Sequence, residues 1–419
     1  MNRPTQNCPT SRLLLLGLSV ATLFLFAIGF ATASAAEPHI RVTTSIPDHV
    51  TPGDPTNNGV LMFLGIHNDG DAPMSGNVTI RLTYPNGLAV VGPEGSELPG
   101  LTCSEAGQEE ECTVDATGVP PGREFLFTFF TYVDSTATGV LTGQIEVFGG
   151  GAPNAVTVPL SLDTAPIGPF DLKSLAAELT DAGGNPTAQA GAHPAAAETD
   201  GQLLTQAVSQ FGFPNPNLTV ISAPENMHDI ITHVPAGLVG YPTATAARCT
   251  AAELSELKVG TIGAQIPSCP RDSQIGIALL NGRDVMPLYN LVPPAGAPAE
   301  FGLYYQGIVV NLRARLRPSD NGIDIVTEKS STSTPITKFE VTIWGVPTDS
   351  SHDGLRAECT ILLLGADGTL CPSSAPHKPF LRSPTSCSGQ PLPWSMEVDT
   401  YEHPGVFHRR ETTTPALEG

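Results

Sequence analysis

The sequence predicts a mainly β protein, and three observations carry that prediction. Charged residues make up only 15% of the 419-residue chain, against about a quarter in ordinary globular proteins. Glycine (42) and proline (40) are abundant, and both work against helices. Apolar side chains also recur at period two: Val78, Ile80, Leu82 and Tyr84 alternate with Thr79, Arg81 and Thr83. That alternation gives a strand one buried face. Short strands joined by turns satisfy all three.

The chain opens with an apolar run over residues 13–30, behind Arg3 and Arg12 and ahead of Ala33-Ser34-Ala35. A cationic start, a long apolar stretch and a small-x-small site read as an export signal, cleaved near Ala35 or Ala36. Residues 1–36 are therefore set apart as a signal peptide. The run is longer than a usual signal core, and about eighteen apolar residues can span a bilayer. An uncleaved membrane anchor over 13–30 is the alternative. Either way the body is expected to be secreted, extracellular or at the cell surface.

Residues 37–162 follow the period-two pattern closely. An apolar strand at 60–66 precedes Asn68-Asp69-Gly70-Asp71, where Asp-Gly favours a hairpin turn, and the alternating strand 78–84 comes next. Residues 101–114 carry Cys103 and Cys112 on either side of an acidic loop over 104–111. Strands are further expected at 124–133, 143–148 and 155–162, with Gly118-Val119-Pro120-Pro121-Gly122 as a turn. Close-spaced short strands of this kind suggest an immunoglobulin-type antiparallel sandwich. Leu61-Met62-Phe63-Leu64 before Asn68-Asp69-Gly70, Asn86-Gly87-Leu88, Cys112-Thr113-Val114 and Pro121-Gly122 resemble the DUF11 family of bacterial Ig-like surface domains. The resemblance covers about a third of the chain, implies a spacer or stalk module, and carries over no site residues.

A small, proline-containing link at 163–169 leads into a second β-rich domain over 170–407 with short helices. Strands are expected at 274–280, 300–312, 322–326 and 338–344. Thr250-Ala251-Ala252-Glu253 is a capping box ahead of Leu254 and Leu257 and predicts a helix. Leu203, Leu204 and Ala207 suggest another. Val234-Pro235-Ala236-Gly237, Cys269-Pro270-Arg271-Asp272-Ser273, Tyr289-Asn290-Leu291-Val292-Pro293-Pro294, Ile343-Trp344-Gly345-Val346-Pro347 and Ser383-Pro384-Thr385-Ser386-Cys387 resemble, in that order, an uncharacterised secreted-protein family of high-GC soil bacteria. That resemblance implies an envelope location and supplies no activity. Periodicity stops after Phe407, so residues 408–419 read as a polar tail.

A net charge of −21 argues against nucleic acid and anionic lipid, which need a cationic footprint. No nucleic-acid partner is expected, and membrane contact only through an uncleaved N-terminal segment; other envelope proteins and polysaccharides are the partners considered. In an oxidising compartment nearby cysteines should be bridged. Cys103 with Cys112, and Cys249 with Cys269, are the expected pairs. Cys359, Cys371 and Cys387 leave one over, and spacing does not choose among them. Cys8 precedes the apolar run.

No Gly-x-Ser-x-Gly elbow, HExxH or phosphate loop is present, so no catalytic residue, metal or cofactor is assigned. Gly149-Gly150-Gly151 reads as a turn. His228-Asp229 with His233 offers a two-histidine metal site, although exposed turn positions explain these residues more simply. Asp349, His352 and Asp353 lie in a surface connection, where Asp349 and Asp353 would have to approach within about 5–10 Å to act as a glycosidase pair. Asn68-Asp69-Gly70-Asp71 is similar to a calcium loop but lacks the distal glutamate. Trp344, Trp394, Tyr289, Tyr304 and Tyr305 are either core residues or a sugar-stacking platform.

The leading reading is a secreted or cell-surface structural or interaction protein of a bacterial envelope, without catalysis. The alternative is an extracellular carbohydrate-active enzyme or sugar-binding protein that uses the second domain. For the export signal, the mature chain should begin at Ala36 or Glu37. N-terminal sequencing of the extracellular fraction decides this, and recovery of Met1 or Asn2 would mean an anchored protein.

Overall fold

A computed structural model describes residues 36–53, 60–91, 98, 100–209, 219–259, 265–359, 370–386 and 389–418. The apolar run, Cys8 and Cys387 lie outside these residues. Among the described residues no helix is long and apolar enough to cross a membrane. The protein is mainly β, with a two-sheet N-terminal part and a large sheet that curls towards closure.

In the N-terminal part, a five-stranded sheet runs in the order Thr102–Ala106, Glu109–Asp115, Asn77–Thr83, Val140–Gly149, Val156–Asp163. A second sheet is built on Val60–Asn68, which pairs with Ile40–Ser45 and with the long strand Arg123–Val133. Phe125, Phe127 and Phe129 recur every second residue on that strand. They share one core with Met62, Leu64, Ile80, Leu82, Ile145 and Val147, so alternation alone decides which faces meet. Asn68-Asp69-Gly70-Asp71 does not close the expected hairpin. The strands on either side belong to different sheets, so the chain crosses the sandwich here. The turn is held by the Asn68 side chain, whose Oδ1 accepts from the Gly70 amide at 3.1 Å and whose Nδ2 donates to the Ala72 carbonyl at 2.8 Å.

Two strands of the second sheet come from later in the chain. Gln206–Ser209 pairs with Thr219–Ser222, which meets Val60–Asn68. The helix expected around Leu203, Leu204 and Ala207 is thus two strands, Ala196–Leu203 and Gln206–Ser209. Tertiary packing overrides the local pattern: Leu203 joins the core of the large sheet and Ala207 packs against that of the sandwich.

The large sheet has eleven strands, in the order Leu172–Thr180, Ala196–Leu203, Lys338–Trp344, Gln274–Leu280, Asp284–Asn290, Glu300–Tyr305, Ile308–Leu316, Ile323–Thr327, Met227–His233, Leu392–Thr400, His408–Thr414. Every pairing along it is antiparallel. The expected strand over 300–312 is two strands joined at Gln306 and Gly307, with φ of 45° and 92°; such a left-handed pair suits a two-residue hairpin loop. The expected polar tail is also corrected, because His408–Thr414 is the last strand of the sheet. Its threonines and arginines hide the strand from a search for apolar alternation. The last strand returns beside the first: Arg410 donates from Nε to the Leu172 carbonyl and from Nη2 to Asp171, both at 2.6 Å. Phe170 contacts the His408 ring at 5.3 Å.

The helix Ala251–Ser255 carries the expected capping box, with Glu253 N donating to Thr250 Oγ1 at 3.2 Å and Thr250 N to Glu253 Oε2 at 2.8 Å. It seats Leu254 in a small satellite core with Cys249, Ile266, Cys269, Tyr289, Leu291 and Ala357. Disulfides join Cys249 to Cys269, Cys359 to Cys371, and Cys103 to Cys112 across a hairpin. Truncating the fully buried Phe127 to alanine should cost about 3–5 kcal/mol, read from urea unfolding. A loss below about 1 kcal/mol would show that the two sheets do not share this core.

Candidate functional site

The large sheet carries inward positions at every second residue. Ala197 and Thr199 face in on one strand, Phe339, Val341 and Ile343 on the next, then Ala278 and Leu280. Outward neighbours Glu198, Asp200, Glu340, Thr342 and Trp344 instead line a cleft on the far side of the same strands. The inward side chains leave an apolar cavity of about 230 Å³. Apolar space left unfilled costs about 24 cal/mol per Å³, so a void of this size forgoes about 5 kcal/mol of packing. Several inward residues, among them Ile230, Val310, Ile325 and Val341, keep partial accessibility, which a close-packed core would not leave them. None of the described lining residues is ionisable; the polar side chains are hydroxyls such as Thr199, Thr232, Thr327 and Ser330.

One end of the cavity is capped by a two-stranded ribbon, Val239–Gly240 with Leu381–Arg382, reinforced by the Tyr241 amide on the Phe380 carbonyl at 2.7 Å. The other end lies where Met227, Thr327, Ser330 and Ile336 come together. This site was missed in the sequence. Its signal is the recurrence of small inward residues (Ala197, Ala278, Ala299, Ala314), but period two reports which face is buried and not whether it is filled.

The cleft, of about 1370 Å³, is shared between the barrel's outer face and the sandwich. Arg41 of the sandwich pairs with Asp69 at 2.5 Å and reaches Glu340 at 3.3 Å. Burial, then the neighbouring Glu340 charge, pushes the Glu198 carboxyl above its ordinary range, and burial does the same to Asp200.

The residues singled out in the sequence mostly brace turns. Asp349 caps the short 3₁₀ helix Ser350–Leu355, accepting from the Ser351 amide at 2.9 Å and hydroxyl at 2.8 Å, which lowers its pKa. Asp353 is 6% exposed and faces the buried Arg356 at 3.3 Å. It is not the exposed turn position expected. His352 lies flat on the Trp344 ring, 4.2 Å between centroids and 2° between planes. The two acids have different structural partners, Ser351 for Asp349 and Arg356 for Asp353. Trp344, Trp394, Tyr289 and Tyr305 are at most 3% exposed, and Trp394 lines the cavity; they are core residues and not a surface platform.

His228 and His233 are held apart by different partners. His233 Nδ1 meets Asp324 at 2.7 Å. His228 Nδ1 lies 3.4 Å from both Asp229 and Asp399, three groups whose ligand atoms fall within 4.8 Å of one another. Both carboxylates already accept backbone amides, from Lys329 at 2.9 Å and from Asp229 and Gly405 at 2.8 and 2.6 Å. They brace the bulge where this strand loses register with Leu392–Thr400. In the Asn68–Asp71 turn, Asp69 pairs with Arg41 and Asp71 accepts from the Glu37 amide at 2.7 Å. Gly149, Gly150 and Gly151 all take positive φ, as a glycine-built turn requires.

No protein-family model matches the chain, and no curated protein does. Among solved structures it is similar to a non-cellulosomal cohesin from Archaeoglobus fulgidus, at 16% identity over 29% of this chain and 91% of that one, with a TM-score of 0.20. It is also similar to a putative membrane anchored protein from Corynebacterium diphtheriae, at 11% identity over 91% and 92% of the two chains, TM-score 0.21. The collagen binding domain of Erysipelothrix rhusiopathiae surface protein RspB matches at 8% identity over 91% and 94%, TM-score 0.19. At these scores the likenesses carry no argument about function.

His352 makes the site's pH behaviour testable. Burial against Trp344 holds its pKa down to about 4 from the ordinary 6.5, more than Asp349 can offset. Below about pH 6.5 the unfolded chain gains a proton here that the folded chain refuses until about pH 4. Stability should therefore fall across that window, by on the order of 2 kcal/mol from this group. His352→Phe keeps a ring on Trp344 and should flatten this part of the profile. Urea unfolding at pH 7 and pH 4.5 checks it; an identical pH-dependent loss in both proteins would remove His352 as the cause.

Proposed function

We propose that this is an exported cell-envelope protein that acts by binding and not by catalysis, the sandwich serving as a spacer and the barrel as the binding module. The observation that carries this reading is the apolar cavity, whose described lining residues include no ionisable side chain. Acid–base and most nucleophilic catalysis need a titratable group within hydrogen-bond reach of the reacting atom, whereas an apolar concavity with a few hydroxyls is the ordinary form of a binding pocket. The signal-like N-terminus supports export. Disulfides in both parts of the chain fit an oxidising compartment. The DUF11-like motifs of the first third support the spacer role, and envelope proteins or polysaccharides remain the proposed outside partners.

A second reading, a carbohydrate-active enzyme, is favoured by one observation: Glu198 and Asp200 sit in the cleft with raised carboxyl pKa values beside Glu340, as a general acid requires. A screen of the mature protein against polysaccharides, peptides and esters separates the two. The expected result is no turnover. Turnover that disappears in Glu198→Gln, or in Asp349→Asn or His352→Gln, would establish the enzyme in place of the binding protein.

A further inference from the structure

The cavity lining says more than that something apolar enters it. We infer that the barrel holds one medium-length acyl chain, its tail against the capped end and its polar head at the Thr327–Ser330 end. This inference rests on the reading of the barrel as a binding module and names what it binds.

Chemistry narrows the ligand first. With no ionisable group among the described lining residues, a charge carried inside would be desolvated without a partner, which is prohibitive. Sugars fare little better, since their many hydroxyls would exceed the few that Thr199, Thr232, Thr327 and Ser330 offer. The buried portion of the ligand must be hydrocarbon.

Size narrows it further. An apolar cavity of about 150 Å³ holds one benzene; in the same proportion, 230 Å³ admits roughly nine carbons. A whole membrane lipid is too large, and a single medium chain fits. Shape then favours a chain over a compact ring. The lining runs from Met227, Thr327 and Ser330 at one end of the strands to Leu238, Phe380 and Leu381 at the other. The ribbon Val239–Gly240 with Leu381–Arg382 closes the second end with backbone pairing, so the head group belongs at the first. There Ser330 is followed by the exposed, hydroxyl-bearing Ser331, Thr332 and Ser333.

The two tryptophans of the chain supply a direct assay. Trp394 lines the cavity, while Trp344 faces the cleft outside it. In a Trp344→Phe background of the mature, delipidated protein, 10-bromodecanoic acid should quench Trp394 saturably, and decanoate and decanol should relieve the quenching. Ala314→Phe points a ring into the cavity and should weaken binding at least tenfold while raising the thermal unfolding midpoint. Absence of saturable quenching in the Trp344→Phe protein would overturn the inference, and so would equal quenching in an Ala314→Phe protein that still unfolds cooperatively. Displacement by naphthalene at concentrations tenfold below decanoate would also overturn it, in favour of a compact ring ligand. Any of these would leave the non-catalytic reading standing, since only turnover in the substrate screen removes that.

Discussion

The structure depends on one constraint: an eleven-stranded sheet that turns back on itself encloses more space than its side chains fill. Eight strands give an interior just wide enough to be packed, and the diameter grows with strand number. Return of His408–Thr414 to the side of Leu172–Thr180 is what turns the sheet into a container. Arg410 makes that contact twice, to the Leu172 carbonyl and to Asp171, without the regular ladder found between the other neighbours. Two polar edges that would otherwise lie open are thereby covered, and the inner apolar face is held around a cavity.

The two parts of the chain are also sewn together. After the large-sheet strand Ala196–Leu203, Gln206–Ser209 and Thr219–Ser222 add two strands to the sandwich, and Met227–His233 is again in the large sheet. Asp48 accepts from the Thr205 amide and hydroxyl, both at 2.9 Å, and Thr43 Oγ1 donates to the Gly282 carbonyl at 2.8 Å. Arg123 reaches the Cys359 carbonyl, beside the Cys359–Cys371 disulfide. These contacts fix the two modules to one another, and the cleft is lined by residues of both. Interior and exterior of the barrel then divide the chemistry: hydrocarbon within, carboxylates without.

That division is consistent with the charge of the chain. The acids that make up the net charge of −21 keep the surface hydrated and repel like surfaces, and they stay out of the cavity lining. Two of the buried acids are held by named partners, Asp353 by Arg356 and Asp399 by two backbone amides. Groups that look reactive in the sequence because they are scarce are used to hold turns and bulges in place.

The sequence by itself determined the strand class, the inward face of each strand with regular alternation, and the capped helix at Thr250, because these are local consequences of side-chain period and backbone hydrogen bonding. Gln274–Leu280 and Lys338–Trp344 could be read to the residue. Strands whose inward positions are threonine or small, such as His408–Thr414 and Ala196–Leu203, carry too little apolar contrast to be seen. Only the tertiary structure decided that Asn68–Asp71 crosses between sheets and that Gln206–Ser209 and Thr219–Ser222 join the sandwich. It also decided that the large sheet closes around unfilled space. Alternation names the face a side chain takes; how far apart opposing faces stand depends on strand number and closure, which no local pattern encodes.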